Sequence, residues 1–229
     1  MTGEIFPNDV EKFVTHVKTH VTSTISIDSL GGDLVAALRM AEVTRTLQLQ
    51  IMVPKGKNCV SACFFLFLAG NGRIAAGADN GQRNYSMPLG YVGLHRPYLH
   101  SISNTEGSQA VQSGVMKTVA AYLEDQMVPR RLIDLMMSRP SNDVYWLTDE
   151  DLNELGDYPP AQEELYISKC GYDRHLSENL GRAKRVGDSS LVSKLNARLK
   201  CISNLQTEAY YRGISKLKAG WVPAKKSIF

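Results

Sequence analysis

The sequence predicts a mixed α/β domain followed by a mainly helical C-terminal extension. Near the start of the chain, a β-branched segment, an amphipathic segment and a second β-branched segment follow one another, and a glycine pair ends the first of them. Beyond residue 160, apolar residues recur at helical spacing. The 229 residues suit one sizeable α/β domain, or a domain of about 150 residues with an appendage. The ordinary composition excludes disordered, collagen-like and disulfide-scaffold chains.

The first fifty residues predict a helix and then a βαβ unit. Apolar residues on one face predict a helix within residues 5–21. Residues 22–28 predict a strand that ends in the turn Ser29-Leu30-Gly31-Gly32. Residues 33–47 predict a second helix, and residues 49–53 predict a second strand. This order implies parallel strands joined by a right-handed crossover.

The middle of the chain contains an apolar segment and a further strand. Residues 55–60 are expected to form a loop, and residues 61–68 are expected to form a buried helix. Residues 90–94 predict a strand that carries His95 at its end. Residues 118–127 and the segment that follows Pro129 predict two further helices.

A proline pair divides the predicted domain from the extension. Thr148 is expected to cap a short acidic helix, with Asp151 three residues further on. Pro159-Pro160 follows, so we expect an α/β domain over residues 1–157 and a helical extension over residues 158–229. The extension is predicted to be helical almost throughout, with a break near Gly187.

The net charge of +3 is unevenly distributed along the chain. Residues 157–229 hold 13 Lys and Arg against 7 Asp and Glu, whereas the remaining residues hold 13 against 16. A basic segment is typical of binding to nucleic acid or anionic lipid. Here the charges alternate with apolar residues, which favours burial of one face against the domain, a sister extension or a partner. Nucleic-acid binding is therefore not expected.

Apolar runs, the amino-terminal segment and the cysteines indicate where in or outside the cell the chain is expected. The longest apolar run is too short to cross a bilayer, so no membrane span is expected. The amino end lacks signal-peptide features, which predicts a cytoplasmic chain unless a leader is missing from the sequence, in which case export or a periplasmic location is expected. Cys59 and Cys63 are expected to be buried structural thiols, while Cys170 and Cys201 would form a disulfide under export. The spacing does not suit zinc.

An acyl-transfer site needs a nucleophile, a base, an orienting carboxylate and N–H donors for the oxyanion. The sequence offers a candidate for each. Ser61 lies at the start of the apolar helix, and His95 lies at the end of a strand. Asp143 is the best-placed later carboxylate, and Gly31-Gly32 offers N–H groups with no Cβ beside them. Each feature alone has a structural explanation as a cap, a turn or a surface residue. Their combination in this order favours a hydrolytic site.

Five ordered segments within residues 3–156 carry a family resemblance. They are Gly3-Glu4-Ile5, the strand and turn 25–32, the segment Cys59-Val60-Ser61-Ala62-Cys63 with Leu68-Ala69-Gly70 and Arg73, the strand Gly93-Leu94-His95-Arg96-Pro97, and the segment 147–156. Together they resemble the ClpP-like serine peptidases of the ClpP/crotonase superfamily, particularly the stand-alone bacterial branch.

The resemblance implies an α/β fold of the ClpP/crotonase type, built from repeated ββα and βαβ units. It implies a serine peptidase in which Ser61 is the nucleophile, His95 the general base and Asp143 the orienting carboxylate. The oxyanion would be held by N–H groups at Gly31, Gly32 and Ala62. Peptide or protein substrates and a closed homo-oligomer are implied, with a separate ATPase or other partner left open, and no cofactor or metal is expected.

The chain departs from the family pattern at two places. One additional residue separates Asp143 from Leu147, so Asn142, Asp149 or Asp151 is an alternative third member. Residues 71–88 form a Gly- and Asn-rich insertion that is expected to cover or gate the site.

Other functions compete for the same residues. A catalytically weak or inactive scaffold that acts as a binding or assembly module is the main alternative, and crotonase-type acyl-CoA chemistry ranks third. A cysteine peptidase that uses Cys59 or Cys63 is disfavoured by their apolar surroundings. An α/β-hydrolase is disfavoured because Ser61 lacks the flanking glycines and the chain order is Ser, His, Asp.

Overall fold

The structure is a computed structural model that describes residues 1–75, 90–97, 106–221 and 223. Within these residues the chain is a mixed α/β protein with small sheets and many helices. The helices are α1 Asp9–Thr19, α2 Leu34–Thr46, α3 Ala62–Leu68, α4 Glu106–Asp125, α5 Arg130–Ser138, α6 Asp149–Leu155, α7 Pro160–Cys170, α8 Leu176–Arg185 and α9 Ser189–Lys218. The strands are β1 Thr24–Ser26, β2 Gln50–Val53, β3 Asn58–Val60, β4 Arg73–Ala75, β5 Tyr91–Leu94 and β6 Tyr145–Trp146.

The first sheet contains the predicted βαβ unit. Its strand order is β1-β2-β4 with both pairs parallel, and α2 connects β1 to β2. Asp33 caps α2, because its Oδ1 accepts a hydrogen bond from the backbone N–H of Ala36 at 2.6 Å. The segment that begins the chain runs parallel to the end of β1, with Thr2 beside Asp28 and Ile5 beside Gly32. This segment therefore lies against the glycine turn.

The second sheet joins the elements that carry Ser61 and His95. Its order is β3-β5-β6, with β3 and β5 parallel and β5 and β6 antiparallel. The prediction of a loop over residues 55–60 was wrong, since residues 58–60 form β3. This strand is three residues long, and its partners are β5 and Ser29. Such distant pairing leaves no alternation in the local sequence.

The apolar helix α3 lies in the core, as predicted. All seven of its residues are buried, and it packs closely against α2. Arg73 binds the carboxyl end of α3, because its Nη2 donates to the carbonyl oxygen of Leu68 at 2.8 Å, while its Nη1 donates to that of Leu155 at 2.8 Å. Burial lowers the pKa of Arg73 to about 10. A buried cation thus joins the end of α3 to the end of α6.

The second half of the chain follows the predicted pattern with different bounds. The helix expected from residue 118 belongs to α4, in which Val115 and Val119 are both buried. Thr148 and Asp151 form the expected capping box at α6. The extension has the predicted break at Gly187 and a further break after Gly171, which adopts a left-handed conformation with φ 66°.

The helical extension, α7–α9, buries its apolar face within the chain. Its interior is a separate cluster, formed by Tyr166, Cys170, Tyr172, Leu176, Ala183, Leu195 and Ile202. Helix α9 also contacts α1 and α2, and a Cβ added to Gly213 would lie 2.5 Å from the carbonyl oxygen of Thr46. The division at residues 157 and 158 stays a prediction. Among the described helices, none combines the length and the apolar character needed to cross a bilayer.

The cysteines form two disulfides, Cys59–Cys63 and Cys170–Cys201. The expectation of buried structural thiols at Cys59 and Cys63 was wrong in oxidation state, although both residues are fully buried. The turn between β3 and α3 brings their Cα atoms to 5.1 Å, which lies within the usual range for a disulfide. As bonded sulfurs, Cys59 and Cys63 cannot act as nucleophiles.

Candidate active site

Five of the residues predicted to carry chemistry line one cavity of about 600 Å³. They are Gly31, Gly32, Ser61, Ala62 and His95. Leu30, Leu34, Phe65 and Pro97 contribute apolar walls to the same cavity. Glu4, Asp28, Ser29 and Asn58 also line the cavity, so its wall mixes polar and apolar side chains.

Ser61 lies in a strained turn at the start of α3. Its backbone has φ 59° and ψ −123°, a conformation that residues other than glycine seldom adopt. The Ser61 side chain makes no capping hydrogen bond to α3, which sets aside the reading of this residue as a helix cap. Its backbone N–H donates to the carbonyl oxygen of Gly93 at 3.2 Å, so the Ser61 turn (residues 59–63) is held against β5.

The glycine pair packs directly against the Ser61 turn. Gly31 and Gly32 have φ values of 104° and 134°. A Cβ added to Gly31 would lie 2.7 Å from the Cβ of Ser61 and 3.1 Å from the backbone nitrogen of Ala62. A Cβ added to Gly32 would lie 2.3 Å from the carbonyl oxygen of Ile5. Both conformation and space therefore require glycine at these positions.

Two backbone N–H groups at this turn are available to a ligand. The N–H of Ala62 is in the first position of α3, where no intrahelical acceptor exists. The N–H groups of Gly32 and Ala62 donate no backbone hydrogen bond among the described residues. In contrast, the N–H of Gly31 donates to Oγ of the buried Ser29 at 3.1 Å. The N–H groups of Gly32 and Ala62 are thus better placed than that of Gly31 to donate to a ligand.

His95 lies at the end of β5 and is 7% exposed. Its Nδ1 lies 2.9 Å from the carbonyl oxygen of Arg96. Because a carbonyl oxygen only accepts hydrogen bonds, this contact assigns the proton of a neutral ring to Nδ1. The lone pair of the imidazole is then on Nε2, which is the arrangement that a general base requires.

Asp143 does not join the other predicted residues. Its side chain is 48% exposed, its Oδ2 lies 2.7 Å from Nη1 of Arg139, and it is absent from the described residues that line the cavity. Arg139 also lies over the ring of Tyr145, which pairs with Leu94 in the β5–β6 ladder. Side chains alternate along a strand. Asp143 lies two residues before Tyr145 and His95 one residue after Leu94, so the alternation, continued past the strand ends, would place them on opposite faces.

The alternative third members lie away from the ring as well. Asp151 is buried in its capping box and also accepts hydrogen bonds from Arg131 and Tyr145. Burial alone would raise the pKa of Asp151, but these hydrogen bonds lower it. Asn142 is exposed in the turn before β6, and Asp149 is the first residue of α6. None of the three is among the described residues of the cavity.

Sequence reasoning missed three contributors to the site. Ser29 binds the N–H of Gly31, and its position two residues before Gly31 was the available signal. Gly93 gives close approach between β5 and β6, since an added Cβ would lie 2.7 Å from Cγ1 of Val144. The disulfide that brackets Ser61 was signalled only by a four-residue cysteine spacing.

Two further expectations concern this region. Residues 76–88 of the insertion that was expected to gate the site lie outside the described residues. Among the residues that are described, no group of three His, Cys, Asp or Glu side chains is placed to hold a metal ion.

No protein-family model matches the chain, and no curated protein matches it. Among solved structures, one match is the 1510-N membrane-bound stomatin-specific protease in a serine-to-alanine mutant form. That structure is 14% identical, with a TM-score of 0.46, over 75% of this chain and 83% of that chain. The chain is thus a mixed α/β protein with a protease among its structural neighbours. The function proposed for it rests on the geometry of the cavity.

Proposed function

We propose that this chain is a serine-type peptide hydrolase with Ser61 as its nucleophile. The single observation that carries the proposal is the meeting of the strained Ser61 turn, Gly31-Gly32 and His95 in one cavity. Backbone strain of this kind clusters at active sites, where surrounding structure holds a reactive group in place. The Ser61 hydroxyl is not used to cap α3, and Ser61 lines the cavity together with both glycines and His95.

In this mechanism Nε2 of His95 takes the proton of Ser61 as the hydroxyl oxygen attacks the scissile carbonyl. The N–H groups of Gly32 and Ala62 stabilise the negative charge that develops on the carbonyl oxygen. His95 then gives the proton to the leaving amine, and the acyl group remains on Ser61. Water, deprotonated by the same imidazole, releases the acyl group and restores the hydroxyl.

The family resemblance and the hydrogen bond of His95 point to different groups as the one that orients the imidazole. The family resemblance implies Asp143, whereas Nδ1 of His95 is bonded to the carbonyl oxygen of Arg96. We assign the orienting role to the Arg96 carbonyl, which fixes the tautomer. Asp143 remains the alternative, and its exposed ion pair with Arg139 would cost at most about 1 kcal/mol to break.

The ClpP/crotonase type of fold and the closed homo-oligomer belong to the same proposal. The parallel βαβ unit that ends in a glycine pair beside the nucleophile turn supports the first of these. The two disulfides favour an exported protein over a cytoplasmic one, since such bonds persist in oxidising compartments.

A binding or assembly module is the second candidate. The observation that favours it is the ion pair of Asp143 with Arg139, which leaves the predicted third member of the triad engaged elsewhere. Such a module would bind peptides in the cavity without cleaving them.

The test is hydrolysis of a fluorogenic peptide library by wild-type protein and the Ser61→Ala variant. Ser215→Ala, at an exposed position of α9, is the matched control for replacing a serine. We expect cleavage by the wild type and the control and none by Ser61→Ala at equal folded concentration. Binding without cleavage by all three proteins would favour the module instead.

A further inference from the structure

The Cys59–Cys63 disulfide encloses the proposed nucleophile. Cys59 belongs to β3, Cys63 is the second residue of α3, and Ser61 lies midway between them. Both cysteines are 0% exposed and belong to the main hydrophobic core. The covalent ring therefore contains the residue whose backbone conformation is strained.

Besides the β3–β5 ladder, three backbone hydrogen bonds hold the same turn. The N–H of Val60 donates to the carbonyl oxygen of Ser29 at 3.0 Å, that of Ser61 to Gly93 at 3.2 Å, and that of Phe64 to Ser61 at 2.9 Å. None of these bonds reaches across the turn from β3 to α3. Among the described residues, the disulfide is the covalent link between β3 and α3 across this turn.

Breaking the bond is expected to change the shape of the turn. Two separate thiol sulfurs need more distance between them than two bonded sulfurs do, because their electron shells repel each other at bonding distance. Both cysteines are fully buried, and buried side chains are close-packed. We therefore expect the backbone of the turn to take up part of this separation and to move Ser61 and the N–H of Ala62 with it.

We propose that the Cys59–Cys63 disulfide is a positioning element of the active site, required to hold Ser61 and the Ala62 N–H against Gly31-Gly32. The proposal rests on the serine hydrolase function described above. It makes acylation of Ser61 dependent on the oxidised state of this one bond. Reduction by a dithiol would transfer two electrons and two protons to the pair, giving two thiols and the oxidised, cyclic disulfide of the dithiol.

The second disulfide provides a matched control. Cys170–Cys201 links α7 to α9 in the separate apolar cluster of the helical extension, and neither cysteine lines the cavity. Its removal changes cysteine content and stability by the same kind of substitution without touching the Ser61 turn.

The experiment compares Cys59→Ser/Cys63→Ser with Cys170→Ser/Cys201→Ser and wild type. The readouts are the rate of Ser61 labelling by a fluorophosphonate, the kcat and KM for a cleaved peptide, and a thermal melt. We expect the first variant to react about 10²-fold more slowly with KM nearly unchanged, as a displacement of about 1 Å at a catalytic group predicts. The control should label at the wild-type rate even where it melts earlier.

A second measurement applies if the first variant does not fold. The Cys170→Ser/Cys201→Ser protein is prepared with Cys59–Cys63 oxidised and, separately, refolded with dithiothreitol, and free thiols are counted by alkylation and mass. We expect slow labelling of the reduced sample and recovery on reoxidation. Equal labelling rates in the two samples, or in wild type and Cys59→Ser/Cys63→Ser, would overturn the positioning role alone. Wild-type protein that is never labelled would overturn the hydrolase function and this role together.

Discussion

Two regions of this molecule are closed by a disulfide, and they are built in different ways. The Ser61 turn is a ring of five residues fixed by two glycines and by backbone hydrogen bonds. In the helical extension, the cysteines are 31 positions apart, and the interior holds three tyrosine rings in edge-to-face contact. The extension also contains an ion pair between Arg174 and Glu163.

The difference lies in what each bond constrains. A bond across four positions removes less freedom from the unfolded chain than a bond across 31 positions does, and it strongly limits the shape of a turn. The first region therefore favours precise placement of a reactive group, and the second favours stability. Each prediction that follows changes one region and asks whether activity or stability responds.

The largest effect is expected from Gly31→Ala in the cavity. The new methyl group would meet Cβ of Ser61 and the nitrogen of Ala62, and the residue would have to keep φ near 104°. We expect kcat/KM to fall by about 10³-fold, which is the scale for loss of oxyanion stabilisation.

Gly56→Ala is the control, because Gly56 has φ 71° and open space around it. It should lose about 1 kcal/mol of stability through backbone strain and keep its activity. Equal activity losses in the two variants would show that close approach at Gly31 is unimportant.

Removal of the Cys170–Cys201 bond should act on stability. The loop-entropy relation for a separation of 31 gives a loss of about 3 to 4 kcal/mol in the free energy of unfolding. Denaturant titration of Cys170→Ser/Cys201→Ser measures this loss. Retained stability would mean that the apolar cluster alone holds the extension.

Arg73→Met should cause the next largest loss of stability, because Arg73 links the end of α3 to the end of α6. The carbonyl oxygens of Leu68 and Leu155 would lose a buried charged donor, at a cost of about 3 kcal/mol. Arg130→Met removes two exposed ion pairs and should change the denaturation midpoint far less. Similar midpoints for the two variants would contradict the anchoring role of Arg73.

Asp143→Asn is expected to have the smallest effect. Because the carbonyl oxygen of Arg96 already orients His95, we expect kcat to fall by about 10-fold or less. A pH–rate profile accompanies the measurement, since loss of a carboxylate that supports the imidazolium would also move the acidic limb, along which the general base loses its proton. A fall of about 10⁴-fold would show that Asp143 reaches the imidazole in the reacting complex.

The five predicted residues of the cavity could be found from the sequence, because they lie in short local motifs. Ser61 with Ala62, the pair Gly31-Gly32, and His95 each end or begin an element that local pattern identifies. Their convergence follows from the parallel order of β3 and β5. Strand β3 itself was not predictable, since it is short and its partners lie far away in the chain.

Two properties depend on geometry that no local pattern encodes. The face on which Asp143 lies changes with a shift of one residue before β6, and a sequence motif does not fix that shift. The bonded state of Cys59 and Cys63 depends on a Cα separation set by the turn. A buried thiol pair and a buried disulfide have the same apolar surroundings, so composition cannot distinguish them.

The most direct test of the account is covalent labelling of the folded protein by a fluorophosphonate, read by intact mass and peptide mapping. We predict one adduct per chain on Ser61, no adduct on Ser61→Ala, and no adduct after the wild-type protein has been unfolded. His95→Ala should label far more slowly than wild type, because the hydroxyl then lacks its base. A folded wild-type protein that stays unlabelled, or labelling that persists in Ser61→Ala, would contradict the assignment of Ser61 as the nucleophile.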